Sequence, residues 1–312
     1  MIKLVSYDGD GGGLCAHMRH IYSDHRLSVL LNIEHVIAYP PFYCIFKGNF
    51  PDLSDCSAGN IIDINFFSEN NYSLNEIVDF CKIKKVKYIL SGGHHFSKLY
   101  AQMSSLLTSE RRMMHQYFSS FRIAGEINEI ISSHLPYPFQ KQDYCSFHIR
   151  TFYDSLEGNQ MFRDNVSGIY SLMLGMALQT DMPSYCIFSD SKKEAMYFAR
   201  KLQRVINKEV DISTTATIHS SLARVLGPKI LSTSVDNLEK LRLQLTLGHN
   251  TVFELIFPTL IDIISLSLSK ISYTTFSSFG SMPAVLFPWS NQQDHAIVPY
   301  DSIVACEQGQ PY

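Results

Sequence analysis

The chain reads as an α/β protein built from two successive parallel-sheet units. Three observations carry that expectation. Short β-type runs alternate with helical stretches along most of the 312 residues. The first run leads into a glycine tract that opens a long helical segment. In the second half, polar residues collect where apolar strands stop, and that is the end of an open α/β sheet that receives ligands.

The elements follow in order. Ile2 to Tyr7 is a β-type run, then come Gly9 and Gly11-Gly12-Gly13, and a helix is expected from Leu14 to about Leu31. Strands are expected at 36–39, 61–65 and 88–91, with a helix at 74–82 between the last two. A helical connector runs over 109–133 and stops before Pro136 and Pro138. The second unit opens with a strand at 145–149 and a helix at 166–178. A strand at 184–188 and an amphipathic helix at 192–207 follow, the helix carrying Ala195, Phe198, Ala199, Leu202 and Ile206 on one stripe. A helix at 253–266, a strand at 270–273 and a turn or helix at 283–286 complete the set. The boundary falls at the proline pair, giving an N-terminal unit over 1–138 and a C-terminal unit over 139–312.

Composition narrows the function classes. Apolar residues make up 46% and charged residues 18%, enough for a sizeable core and too little charge for a disordered chain. A net charge of −3 excludes a general phosphate-backbone binder, so nucleic acid is not an expected partner. The seven cysteines form no C-x-x-C pair and sit mostly in apolar runs. They read as reduced core residues of a cytoplasmic protein. The N-terminus lacks a charged region followed by an apolar one, so no signal peptide is expected. The apolar run from Val252 to Leu268 contains Glu254, Pro258 and Asp262, which predicts a buried helix rather than a transmembrane segment.

The candidate site lies at strand ends of the second unit. His148 and Arg150 follow one strand, Ser189 and Asp190 another, and Ser277, Ser278 and Gly280 a third. Arg150 offers a bidentate, permanently charged grip on phosphate. A Ser-Ser-x-Gly turn offers hydroxyls and backbone N–H groups to further phosphate oxygens. Asp190 can accept from ribose or sugar hydroxyls. Together these suggest a nucleotide diphosphate site. Taken singly, each cluster also fits ordinary helix capping and turn formation. The lone Trp289 reads as a packing residue, and the run Lys82 to Lys87 as a helix C-terminus complementing its dipole.

The ordered set Phe147-His148-Ile149-Arg150, Tyr185-Cys186-Ile187-Phe188-Ser189-Asp190-Ser191, and Asp262 to Ser267 leading to Ser277-Ser278-Phe279-Gly280 resembles the fucosyltransferases with an H-x-R-type motif. Gly11-Gly12-Gly13-Leu14 before a helix is similar to that group's glycine-rich entry. The resemblance implies a GT-B-like fold, two Rossmann-like domains facing a cleft, with a GDP-sugar donor on the second domain. It implies inverting glycosyl transfer to a glycan or protein hydroxyl, with no cofactor or metal. By the same resemblance Arg150 neutralises the leaving diphosphate and His148 lies near the donor. Asp154, Ser189, Asp190, Ser277, Ser278 and Phe279 line the donor, with Gly11, Gly12, Gly13 and His17 at the entry turn. Asp8, Asp10 or His17 is the candidate general base. Thr151 stands where the family has a second arginine, and the following acidic residue comes late, as Asp154. These departures leave room for a member that binds nucleotide or a partner protein without turnover.

A second resemblance starts at Tyr7-Asp8-Gly9-Asp10-Gly11, which is similar to the opening of DHH phosphoesterases. With Asp63 and His94 it implies a Mn²⁺ site made by Asp8, Asp10, Asp63 and His94 for metal-dependent phosphoester cleavage. Gly93 stands where that family needs an aspartate.

Overall fold

The computed structural model describes residues 1–9, 11–92, 107–135, 143–151, 156–180, 182–206, 211–216, 222–227, 236–275, 282–289 and 295–298. Its strands form two wholly parallel sheets. The first holds β1 (Lys3–Ser6), β2 (Glu34–Ile37), β3 (Ile61–Asp63) and β4 (Tyr88–Ser91) in the order β2-β1-β4-β3. The second holds β5 (Cys145–Ile149), β6 (Ser184–Ser189), β7 (Asp211–Ala216), β8 (Ile271–Thr275) and β9 (His295–Val298) in the order β7-β6-β5-β8-β9. The second sheet therefore reverses strand order once, at β5, while in the first the order changes sense at β1 and again at β4. Parallel strands need crossover connections, and those helices cover the sheet faces.

The helices are α1 (Leu14–Leu31), α2 (Pro40–Ile45), α3 (Ile64–Glu69), α4 (Leu74–Lys84), α5 (Leu107–Ser119), α6 (Gly125–Glu129), α7 (Leu156–Thr180), α8 (Lys192–Val205), α9 (Ala223–Leu226), α10 (Asn237–Leu245), α11 (His249–Leu268) and α12 (Pro283–Leu286). One π-helical turn, Ile130–His134, extends α6. Leu4 and Ile89 of the first sheet pack against Leu27 and Leu31 of α1, Phe67 of α3 and Ile77 of α4. On the opposite face, Val5, Val36, Tyr88 and Leu90 pack against Leu238 and Leu241 of α10. A helix from late in the chain thus covers the first sheet. Phe147, Ile149 and Ile187 of the second sheet meet Tyr170 and Met173 of α7 and Phe198 and Leu202 of α8. The largest core cluster joins α1, α2, α5, α6, α11 and α12.

Several boundaries move, each for a local reason. The strand expected at 61–65 ends at Asp63, whose carboxylate accepts from the Asn65 N–H at 2.7 Å and starts α3. The strand expected at 36–39 lies at 34–37, because Pro40 and Pro41 open α2 directly after it. The connector over 109–133 is two helices, interrupted where Ile123 bridges Phe46 in antiparallel pairing. The six described cysteines are free and buried. Trp289 packs as expected, stacking on Phe287 at 4.5 Å and donating to Ser267 Oγ at 3.0 Å. Helix α11 is long and apolar enough to cross a bilayer, and more than half of its apolar stretch is buried inside the fold.

Candidate active site

β5 sits at the strand-order reversal of the second sheet, so its C-terminal end opens at the place where such sheets bind ligands. Side chains alternate along it. Phe147 and Ile149 enter the α7–α8 core, which turns His148, in register with Phe188 and Thr274, to the other face. Arg150 follows the strand. Its N–H donates to Thr275 Oγ1 at 2.8 Å, and its guanidinium donates to Asp190 Oδ2. The other Asp190 oxygen accepts from the Thr151 N–H at 2.7 Å. Ser189 Oγ donates to the Ile149 carbonyl at 2.8 Å, tying the β6 end to β5. Ser191 then caps α8 by accepting from the Glu194 N–H.

Asp190 has partners within the strand end itself. Its two oxygens accept from the Arg150 side chain and the Thr151 backbone, so it orients a guanidinium and a strand end. Two buried hydroxyls belong to neighbouring positions: Thr151 follows Arg150 in the chain, and Thr274 pairs in register with His148. Thr151 Oγ1 and Thr274 Oγ1 are buried, and neither has a hydrogen-bond partner. A buried hydroxyl without a partner costs roughly 1–3 kcal/mol. Both lie at the β5 and β8 strand ends that also carry Arg150.

The first sheet presents a second polar end at its own reversal. Asp8 leaves β1 fully buried, with Oδ1 accepting from the Gly11 N–H at 2.6 Å and facing His17 Nε2 at 3.0 Å. Asp8 Oδ2 has no hydrogen-bond partner. The glycine tract fits here because Gly11 adopts φ 75° and Gly13 leads into α1 with no side-chain cap. The ring of His17 lies 4.7 Å from that of Tyr39.

Residues without any motif hold this loop. Gln244 of α10, fully buried, accepts from the Asp8 N–H at 2.9 Å and donates to the Asp8 carbonyl. Lys240, one turn earlier, donates to the Gly9 carbonyl at 3.0 Å. Sequence reasoning missed both. The Lys240–Gln244 spacing is a helical i,i+4 pair, and nothing local says which loop it meets. Below Asp8, Asp24 accepts from Ser6 Oγ at 2.5 Å and Ser91 Oγ at 2.9 Å, and lies 3.2 Å from His20. Ser6 Oγ also lies 2.8 Å from His35 Nε2. Burial lowers the His35 pKa to about 4.

The residues of the alternative metal reading separate. Asp63 ends β3, two strands from β1, and spends its oxygens on the Asn65 N–H and the Asn237 amide. Burial raises its pKa. Among the described residues no three His, Cys, Asp or Glu side chains converge as a ligand set. Asp10, His94, Asp154, Ser277, Ser278 and Phe279 lie outside the described residues.

No protein-family model and no curated protein sequence matches the chain. Solved structures do. A point mutant of Arabidopsis thaliana FUT1 in complex with GDP superposes at a TM-score of 0.52 and 12% identity, over 95% of this chain and 70% of that one. The apo form of POFUT1 superposes at 0.50 and 7% identity, over 94% of this chain and 97% of that one. NodZ α-1,6-fucosyltransferase co-crystallised with GDP is also similar, at 0.49 and 12% identity, over 92% and 93% of the two chains. With two parallel sheets in this order, the chain has a mixed α/β fold like that of FUT1 and POFUT1, the GT-B-like fold its motifs resemble.

Proposed function

We propose that the chain is a glycosyltransferase that takes a GDP-sugar donor, fucose by resemblance, and transfers the sugar to a hydroxyl acceptor with inversion. The observation that carries this is Arg150. It stands at the strand-order reversal of a five-stranded parallel sheet, paired with Asp190 and held at its N–H by Thr275 Oγ1. In this reading Arg150, Thr151 and Thr274 hold the diphosphate. As the bond between the anomeric carbon and the β-phosphate oxygen breaks, its electron pair goes to the leaving diphosphate, and Arg150 neutralises the growing charge. The acceptor oxygen forms the new bond to the opposite side of the same carbon.

The acceptor loses its proton to a base, and Asp8 is the described candidate. Its Oδ2 carries no hydrogen bond, while Oδ1 is held by Gly11 and faces His17. The products are the glycoside, GDP and a proton. The similarity of fold to a GDP-bound FUT1 supports the choice of donor.

The test is donor turnover by the full chain and its Arg150→Ala variant, with unfolding midpoints measured in parallel. GDP and GDP-fucose should raise the wild-type midpoint, unaffected by EDTA. Arg150→Ala should lose at least about a hundredfold in turnover, the scale of removing one preorganised charge-stabilising donor. Wild-type turnover in that variant would overturn the assignment.

A further inference from the structure

A groove of about 510 Å³ opens outside the site just described, within the roughly 300–1,000 Å³ typical of small-ligand clefts. Tyr43, Lys47, Asn49, Phe50, Glu126 and His249 line it. Its position follows from the fold. β2 neighbours β1, and α2 follows β2 at the sheet edge that carries Asp8. Tyr39, the N-cap of α2, lies against His17, the partner of Asp8; Tyr43 is one helical turn further on. The groove therefore begins at Tyr43, one helical turn along α2 from the residue that touches the partner of the proposed base.

The lining has two characters. Tyr43 and Phe50 form an aromatic wall, with ring centroids 4.6 Å apart and Phe50 38% exposed. The Tyr43 hydroxyl donates to the Ile37 carbonyl at 2.7 Å, which fixes that ring before any ligand arrives. The polar lining adds an ammonium, an amide, and a carboxylate 3.4 Å from an imidazole. Lys47 and Glu126 cancel in formal charge, so the groove lacks the positive excess that a phosphate ligand requires. A fixed aromatic face beside near-neutral hydrogen-bonding groups matches a pyranose ring. Its C–H face lies on the aromatic wall and its hydroxyls reach the polar side.

We propose that this groove is an acceptor subsite that takes a neutral pyranose unit of a glycan. The proposal rests on the transferase reading. The experiment is saturation-transfer NMR on the full chain in saturating GDP, with cellotetraose, chitotetraose and mannotetraose, and tetragalacturonate as the acidic control. Phe50→Ala and Glu126→Gln are compared with wild type, and the GDP-induced shift in unfolding midpoint is recorded for each. At least one neutral tetrasaccharide should bind, with Phe50→Ala weakening it on the order of tenfold, the scale of one aromatic stacking contact. The GDP shift should be unchanged in both variants. No binding by any neutral tetrasaccharide at millimolar concentration, or binding equal to wild type in both variants, overturns the proposal. A preserved GDP shift in that case leaves the donor reading standing. Phe50-dependent glycan binding without any GDP shift removes the transferase reading and with it the acceptor role, leaving only a glycan-binding groove.

Discussion

Asp190 and Arg150 have only 4% and 12% of their side chains exposed, so their pairing is a partly desolvated one. Removing one partner of such a pair leaves an uncompensated charge. Asp190→Ala should therefore lose on the order of 3 kcal/mol of stability in a denaturant titration, and Asp190→Asn less, since the amide still hydrogen-bonds. Asp190→Asn should also slow donor turnover, because the guanidinium loses its orientation. His35 makes a second prediction. Its folded pKa, about 4, lies below the ordinary 6.5, so between those values the unfolded chain binds the extra proton. The neutral imidazole's contribution is fully present above pH 6.5 and is lost as pH falls toward 4. The loss is at most about 3 kcal/mol. Denaturation midpoints at pH 4.5 and 7.5 should differ less in His35→Gln than in wild type.

At the scale of elements, the decisive contact is between α10 and the loop after β1. Gln244 satisfies the Asp8 N–H and carbonyl together. Gln244→Leu leaves both groups buried without partners and should cost about 2–4 kcal/mol, read from the denaturation midpoint. The same variant should lower kcat by displacing Asp8 while leaving the GDP-induced midpoint shift intact. The loop after β1 also crosses the end of β4 closely. A side chain on Gly9 would run into the Gly92 carbonyl, and one on Gly92 into the Tyr7 ring. Gly92→Ala should destabilise the chain more than Gly125→Ala, where an added Cβ meets nothing within 4 Å. Local sequence gave good notice of helices and strands whose signals are local. α1 and β4 lie where glycine, periodicity and apolar runs put them. α2, β7 and α10 were not legible, since α2 is short and prolines open it, and the other two are set by what they pack against.

At the scale of the molecule, each sheet places its polar strand ends at its own strand-order reversal, and these two ends carry Arg150 and Asp8. In the proposed reading, a donor grip and a base on different sheets suit a transfer in which two substrates meet. The thermal-shift panel tests this reading as a whole. GDP should stabilise the chain with or without EDTA, whereas stabilisation by Mn²⁺ alone would favour metal-dependent phosphoester cleavage. α11 shows the same dependence on context. Its composition passes for a membrane span, yet Ile256, Leu260, Ile263 and Ile264 fill the shared core against α2 and α12.

What the sequence determined by itself was the alternation of strand and helix, the glycine turn and the order of the motif residues, because periodicity, chain stiffness and side-chain chemistry are local properties. Arg150 and His148 were legible for that reason, as polar residues ending an apolar strand. The tertiary structure alone decided that Asp190 belongs to Arg150 and that α10 crosses to hold Asp8. It also decided that Tyr43, Phe50, Glu126 and His249 share one groove. The two hydrogen-bonded pairings join residues 40 and 236 positions apart, and sheet order and burial, which select them, are properties of the whole chain.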